Sequence, residues 1–209
     1  MKLTIFGAAG RTGQYLVALA LEADHQVTAF ARTPDNIIIE DERLTVVQGD
    51  VTDAGRVDEA ISDSEAVISV LGPASNNRDF AISTGTRHIV EAMNKRGIRR
   101  LIISAGAGVE DPDDEPKLFN KVMGFLIRTF SNNVYEDMVQ TVEIVRTSGL
   151  DWTVVRVPML TDDPAKGDLK TAYVGKGMGL RITRSDMAAF MLSQLEDDSF
   201  IGQAPAISN

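Results

Sequence analysis

Three glycines at a spacing of three supply the first chemistry in the chain. They stand in Gly7-Ala8-Ala9-Gly10-Arg11-Thr12-Gly13, a G-x-x-G-x-x-G run directly behind the apolar segment from Lys2 to Phe6. Glycines so placed permit a tight strand-to-helix turn and close approach of backbone N–H groups to a pyrophosphate, whose charge a helix N-terminus favours. The bland alternative is a turn that only packs helix on sheet, but the strand before it and the helix after it are what a phosphate-binding turn requires. A second reading position lies at the end of the second strand. An acid there would bind a ribose 2′-hydroxyl; this chain has Ala31-Arg32-Thr33, and a guanidinium fork suits a 2′-phosphate. Arg11 is read as a second cation for the same group. These residues point to NADP(H), held by Gly7, Ala9, Gly10, Arg11, Thr12, Gly13 and Arg32.

Two further segments fit the same ligand. In Gly49-Asp50-Val51-Thr52-Asp53 the Asp50 carboxylate can accept from an adenine amino group, and Val51 offers backbone and an apolar contact. Thr52 or Asp53 would serve better than Asp50 as a helix cap. Leu71-Gly72-Pro73 ends a strand where a small residue lets backbone lie against the adenosine ribose.

The elements that must position these groups alternate along the whole chain. Strands are predicted at 2–6, 26–31, 44–48, 66–71, 100–104 and 151–156, from short runs of branched and aromatic residues. Helices are predicted at 11–23, 53–62, 79–96 (stopped by Gly97) and 118–147, the last broken near Ser131-Asn132-Asn133. Residues 106–116 read as an acidic loop and 161–180 as an irregular connection with a short strand. Ser185 is the expected N-cap of a helix reaching about Leu195, and the tail near Ala206-Ile207 is expected to add an edge strand. Alternation of this kind predicts an α/β fold: a doubly wound parallel sheet of the Rossmann type, in three layers, α/β/α. No linker-like composition divides it, so residues 1–209 are expected to form a single domain.

Composition narrows the function classes. The chain has 209 residues, no cysteine, two histidines and a formal charge of −9. Thiolate catalysis and disulfides are excluded, and His25 and His88 show no ligand spacing, so no metal site is expected. An acidic chain lacks the basic face that nucleic acid requires. No apolar stretch is long enough to span a bilayer, and no signal-peptide pattern opens the sequence, which reads as cytoplasmic.

GAAGRTG, FAR, GDVTD, STGTRHIVEAMNKRGIRRLIISA, SGLDWTVVRVP and ITRSDMAAF together resemble the atypical short-chain dehydrogenase/reductases. The nearest group is the NAD(P)H-binding proteins similar to biliverdin-IXβ reductase/flavin reductase, with NmrA-like proteins as cousins. The resemblance covers nearly the whole chain. It implies an NADP(H) site at Gly7, Ala9 to Gly13, Arg32, Asp50, Val51, Leu71 and Gly72, and places Ser104 beside the nicotinamide. The usual member of this superfamily carries a tyrosine and, four residues later, a lysine that lowers the phenol pKa. Here Tyr135 is followed four later by Val139, and the two histidine positions of the biliverdin-type enzyme match Met138 and Met159.

Proton donation by side chains is therefore not supported, although hydride chemistry belongs to the cofactor and a flavin or quinone can take its proton from water. Ser104 is the expected side chain for orienting an acceptor, against simple strand-end capping. Tyr135 could stack on a flat substrate, against being a half-buried helical tyrosine. Met123, Met138 and Met159 could line an adaptable apolar wall, with core packing favoured for Met123. Asp186 is read as structural, capping the last helix and tying it to the neighbouring loop. The resulting expectation is an NADPH-dependent oxidoreductase for a small flat acceptor such as a flavin or quinone. The alternative is an NADP(H)-binding sensor with little chemistry, and an epimerase or dehydratase ranks third.

Overall fold

The computed structural model describes residues 1–73, 76, 79–117 and 131–209. In chain order its strands are β1 (Lys2–Phe6), β2 (Gln26–Ala31), β3 (Leu44–Gln48), β4 (Ala66–Ser69), β5 (Arg100–Gly106), β6 (Asp151–Val157), β7 (Met159–Thr161), β8 (Lys170–Ala172), β9 (Arg181–Thr183) and β10 (Ala206–Ser208). The described α-helices are α1 (Arg11–Glu22), α2 (Ala54–Ala60), α3 (Ala81–Arg96), α4 (Asn132–Arg146) and α5 (Arg184–Ser193). Eight strands form one sheet in the order β3-β2-β1-β4-β5-β6-β10-β8, parallel throughout except that β8 runs against β10. β7 and β9 make a separate parallel pair. This is the expected Rossmann-like order, which reverses direction between β1 and β4 and so opens a crevice at their carboxyl ends.

Apolar residues leave the central strands on both faces, as a sheet covered by helices on each side demands. Leu101 and Ile103 of β5 join Val57, Ile89, Met93 and Val142 under α2, α3 and α4. Ile102 of the same strand joins Leu3, Ile5, Leu16, Val17 and Met187 under α1 and α5. Thr4 is buried within the sheet and donates to Ala60 O at 2.9 Å, so its hydroxyl is satisfied.

Several boundaries differ from the sequence reading. The tail strand is not an edge: β10 lies between β6 and β8, and its three residues are fully buried. The edge falls to β8, whose Lys170 and Thr171 face solvent and suit that exposed position better than Ala206 and Ile207 would. The last helix is capped by Thr183, not Ser185: the Thr183 hydroxyl accepts from Asp186 N at 3.1 Å and donates to the Asp186 carboxylate at 2.6 Å. That reciprocal pair resembles a capping box two residues earlier than expected. β4 ends at Ser69, Val70 keeping one last bond from its N–H to Phe6 O at 3.0 Å where it lines the crevice, and β5 runs on to Gly106 through its ladder with β6. The break predicted near Ser131 coincides with the start of α4; the segment 118–130 lies outside the described residues.

Candidate functional site

The glycine turn is tight because its atoms leave no alternative. Gly7 has φ +80, and a Cβ there would lie 2.9 Å from Val70 O. Gly10 N donates to Gly7 O at 2.9 Å, closing the turn. A Cβ on Gly13 would stand 2.1 Å from Gly7 O, so only glycine lets α1 start against β1. Gly10 is the N-cap of α1 with no side-chain hydrogen bond, and the helix has no acid in its first turn. The N–H groups at the start of α1 thus keep the unpartnered character of a helix N-terminus, in a local field that favours an anion.

Beside the turn lies a cavity of about 320 Å³ lined by Gly7, Ala9, Gly10, Arg32, Asp50, Val51, Leu71 and Gly72, among others. Arg32 is exposed at its rim, and its guanidinium forms no ion pair with any described residue. Asp50 folds back on Thr52, accepting from its N–H at 2.9 Å and its hydroxyl at 2.8 Å. Those bonds, with the charge of Arg32 nearby, hold the Asp50 carboxyl below the usual range. Capping of α2 is done by Asp53, which accepts from Gly55 N and Arg56 N. Val51 seals the floor: its carbonyl meets His88 Nδ1 at 3.0 Å, and Gly85 of α3 approaches it so closely that a Cβ would clash at 2.6 Å.

A second cavity of about 420 Å³ adjoins the first, sharing Val70, Leu71, Gly72, Pro73 and Val134 as walls. Thr12, Ser104, Val109, Tyr135, Met138 and Arg184 line it. Among the described residues no side-chain hydrogen bond occupies the Ser104 hydroxyl, so strand-end capping does not explain it. Tyr135 is half-buried on α4. Met138 forms wall, as expected; Met159 does not line this cavity and is 54% exposed, because β7 turns it outward. Met123 lies outside the described residues.

Arg11, unlike Arg32, is not part of the described lining of either cavity. Its guanidinium donates to Asp162 at 2.8 Å, and Asp162 also accepts from Arg184 Nε at 2.7 Å. The hydrogen bond from Arg184 and the charge of Arg11 hold the Asp162 carboxyl low. Two more positioning groups, Asp137 and Arg156, escape a sequence reading, whereas a third, Asp186, ties the last helix to its neighbouring loop as expected. Asp137 of α4 accepts from Ser83 N at 2.8 Å and Ile82 N at 3.2 Å, capping α3 from another helix because Phe80, its own N-cap residue, offers no acceptor. Fully buried Arg156 donates to Asp114 through both terminal nitrogens, at 2.7 and 2.8 Å, and to Val109 O and Ala204 O. Asp186 accepts from Lys166 N and Gly167 N and so fixes the 161–180 connection. The only advance signals were a buried-strand arginine in VVRVP and acids in a loop. Among the described residues no cluster of His, Asp or Glu is placed to hold a metal ion, and no helix is long and apolar enough to cross a membrane.

A family model for NAD(P)H-binding proteins matches residues 7–198. The (4-alkanoyl-5-oxo-2,5-dihydrofuran-3-yl)methyl phosphate reductase of Streptomyces griseus is 26% identical, covering 99% of this chain and 67% of its own length. A 3 beta-hydroxysteroid dehydrogenase/Delta 5-->4-isomerase of Mycobacterium tuberculosis is 31% identical over 52% of this chain, and the match spans 32% of that protein's length. Among solved structures, an NADP complex of a short-chain dehydrogenase/reductase from Veillonella parvula superposes with a TM-score of 0.83 at 23% identity, covering 100% of this chain and 94% of that one. The anaerobillin reductase ChuY from Escherichia coli O157:H7 gives 0.81 at 21% identity, covering 100% and 97%. Both structures share the fold.

Proposed function

The chain belongs to the NAD(P)H-binding family, and from that premise we propose that it is an NADPH-dependent oxidoreductase passing a hydride to a flat, conjugated acceptor such as a flavin or quinone. One observation carries the reading: two cavities share a wall, the first beside the glycine turn and Arg32, the second largely apolar around Ser104. The trough therefore offers a phosphate-binding end and a dry end in one continuous line, as a dinucleotide and a stacked acceptor require.

Bound NADPH supplies the hydride; the protein supplies position. The N-terminus of α1 takes the pyrophosphate, Arg32 the 2′-phosphate, and Asp50 with Val51 the adenine. Leu71, Gly72 and Pro73 separate the two halves. Val109, Val134 and Met138 exclude water and press a flat ring into place, while the Ser104 hydroxyl orients its polar edge. The described lining of the second cavity holds no carboxylate, histidine or lysine, and its one phenol, Tyr135, has Val139 where an activating lysine would stand, so the acceptor's proton is assigned to solvent.

Arg32→Ala should lose roughly 1.5–3 kcal/mol of NADPH binding, the range of a charge-assisted hydrogen bond, and leave NADH nearly unchanged. Calorimetric titration of both cofactors tests this, and equal losses for the two would remove Arg32 from the 2′-phosphate site. In turnover, Ser104→Ala should lower kcat/KM by about tenfold to a hundredfold, comparable to one or two hydrogen bonds. Tyr135→Phe should cost less, because Val139 stands where an activating lysine would be. A thousandfold loss on Tyr135→Phe would contradict the absence of a phenolic proton donor.

The missing tyrosine–lysine pair, with Val139 four residues after Tyr135, favours one other reading, a cofactor-binding sensor that reports NADP(H) state to a partner. Tight NADPH binding without oxidation by any acceptor is its signature.

A further inference from the structure

Arg184 is the one charged side chain among the described residues lining the apolar cavity around Ser104. It is 9% exposed and opens α5, with its backbone held by the Thr183 cap and by the bonds of Asp186 to Thr183, Lys166 and Gly167. Its Nε donates to Asp162 at 2.7 Å. Its two terminal nitrogens have no hydrogen-bond partner among the described residues and keep some accessible surface, on a side chain that lines the cavity. Asp162 is itself shared with Arg11 at 2.8 Å, so one carboxylate stands between two guanidiniums and leaves a positive charge over.

A mostly buried guanidinium with no protein acceptor for its fork is paired only by water, which an anionic group entering the cavity can replace with a stronger charge-assisted bond. The fork presents paired N–H donors in the geometry of a carboxylate, sulfonate or phosphate. Val109, Met138 and Leu160 on the same walls give that charge a low-dielectric setting, which strengthens its attraction for an anion.

We propose that Arg184 is an anion-reading residue of the acceptor site, and that the acceptor is a flat conjugated molecule bearing an acidic group. The inference rests on the oxidoreductase reading for the identity of the occupant. The glycine turn, which would take the cofactor's own pyrophosphate, lines the neighbouring cavity through Gly7, Ala9 and Gly10 and reaches the Arg184 cavity through Thr12 alone. The anion received by Arg184 is therefore assigned to the acceptor.

Equilibrium binding to the NADP+-loaded protein, without turnover, tests this with paired probes that differ by one acidic group: FMN against riboflavin, and anthraquinone-2-carboxylate against its carboxamide. The wild type should bind the acidic member of each pair roughly ten- to a hundredfold tighter, the worth of one charge-assisted pair. Arg184→Gln should erase that preference while NADPH affinity moves less than about threefold. Arg184→Lys, which keeps the charge and loses the fork, should keep part of it.

Equal binding of acidic and neutral members by the wild type would overturn the proposal, and so would a loss of NADPH affinity in Arg184→Gln as large as the loss of FMN affinity. The second result would assign the guanidinium to the cofactor's pyrophosphate. Preference for the acid without any turnover would keep this subsite and remove the reductase reading. Turnover of FMN and riboflavin with equal affinity would do the reverse.

Discussion

Gly10→Val should weaken NADPH binding by at least a hundredfold while the apo protein keeps its fold. Gly10 has φ −76 and ψ 163, a conformation open to any residue, and the only atom a Cβ would meet within 4 Å is Gly7 O at 3.1 Å. The folded chain therefore has room for a side chain there with a small adjustment. A phosphate does not, because a branched side chain would fill the space in front of the first N–H groups of α1. Losing two charge-assisted hydrogen bonds, at about 1.5–3 kcal/mol each, exceeds the hundredfold mark. Gly13→Ala provides the contrast. Its Cβ would sit 2.1 Å from Gly7 O and 2.7 Å from Ala8 Cα, so that variant should fail in stability first. Fluorescence titration of NADPH alongside thermal melts separates the two, and tight binding retained by Gly10→Val would remove the turn from the cofactor site.

Arg156→Met should destabilise the protein by about 3–5 kcal/mol, the cost of stripping one partner from a buried ion pair. The side chain is fully buried, makes four short hydrogen bonds and holds the loop carrying Val109 against the second cavity. Without it Asp114 keeps only the N–H groups of Val174 and Asp111. For a chain of this size the melting temperature should fall by roughly 6–20 °C. Burial alone would push the Asp114 carboxyl up; the bonds and charge of Arg156 and the two N–H groups outweigh it and leave it below the usual range. A carboxylate depressed in the folded state contributes its stability fully above the unfolded value near pH 4 and loses it as pH falls through the lower folded value. The gap between wild type and Arg156→Met should thus be wide at pH 7 and narrow as pH falls below about 4, down to the part carried by the bonds to Val109 O and Ala204 O. A constant gap, or a shift under 2 °C at pH 7, would show that the pair does not carry the loop.

What the sequence made legible was local. Lys2 to Phe6 followed by three spaced glycines implied a strand, a turn and a helix, because each feature is decided within a few residues by backbone sterics and apolar runs. Arg32 could be found by its distance from that turn, and Ser104 by the end of RLIIS. The misses are contacts that only the folded chain creates. Arg11 was read as a partner of Arg32 from its place in the turn, yet Asp162, far along the chain, claims it. Asp137 caps a helix to which it does not belong. Arg156 looked like one polar interruption in VVRVP, and its partner Asp114 like one acid among several in a loop. β10 was taken for an edge because a short terminal run gives no sign of what lies beyond it, and the chain had already laid β8 on its outer side. Arg184 carried no periodic or spacing signal at all; its position at the cavity follows from α5 packing beside α1.

The most direct test of hydride transfer to a flat acceptor is anaerobic mixing of protein, NADPH and acceptor, with both absorbances followed together. Flavins and quinones should be reduced at one NADPH oxidised per two-electron acceptor, faster with NADPH than with NADH, and aldehydes should react poorly. NADPH that binds tightly yet is oxidised by none of them would contradict the account and leave a cofactor-binding sensor in its place.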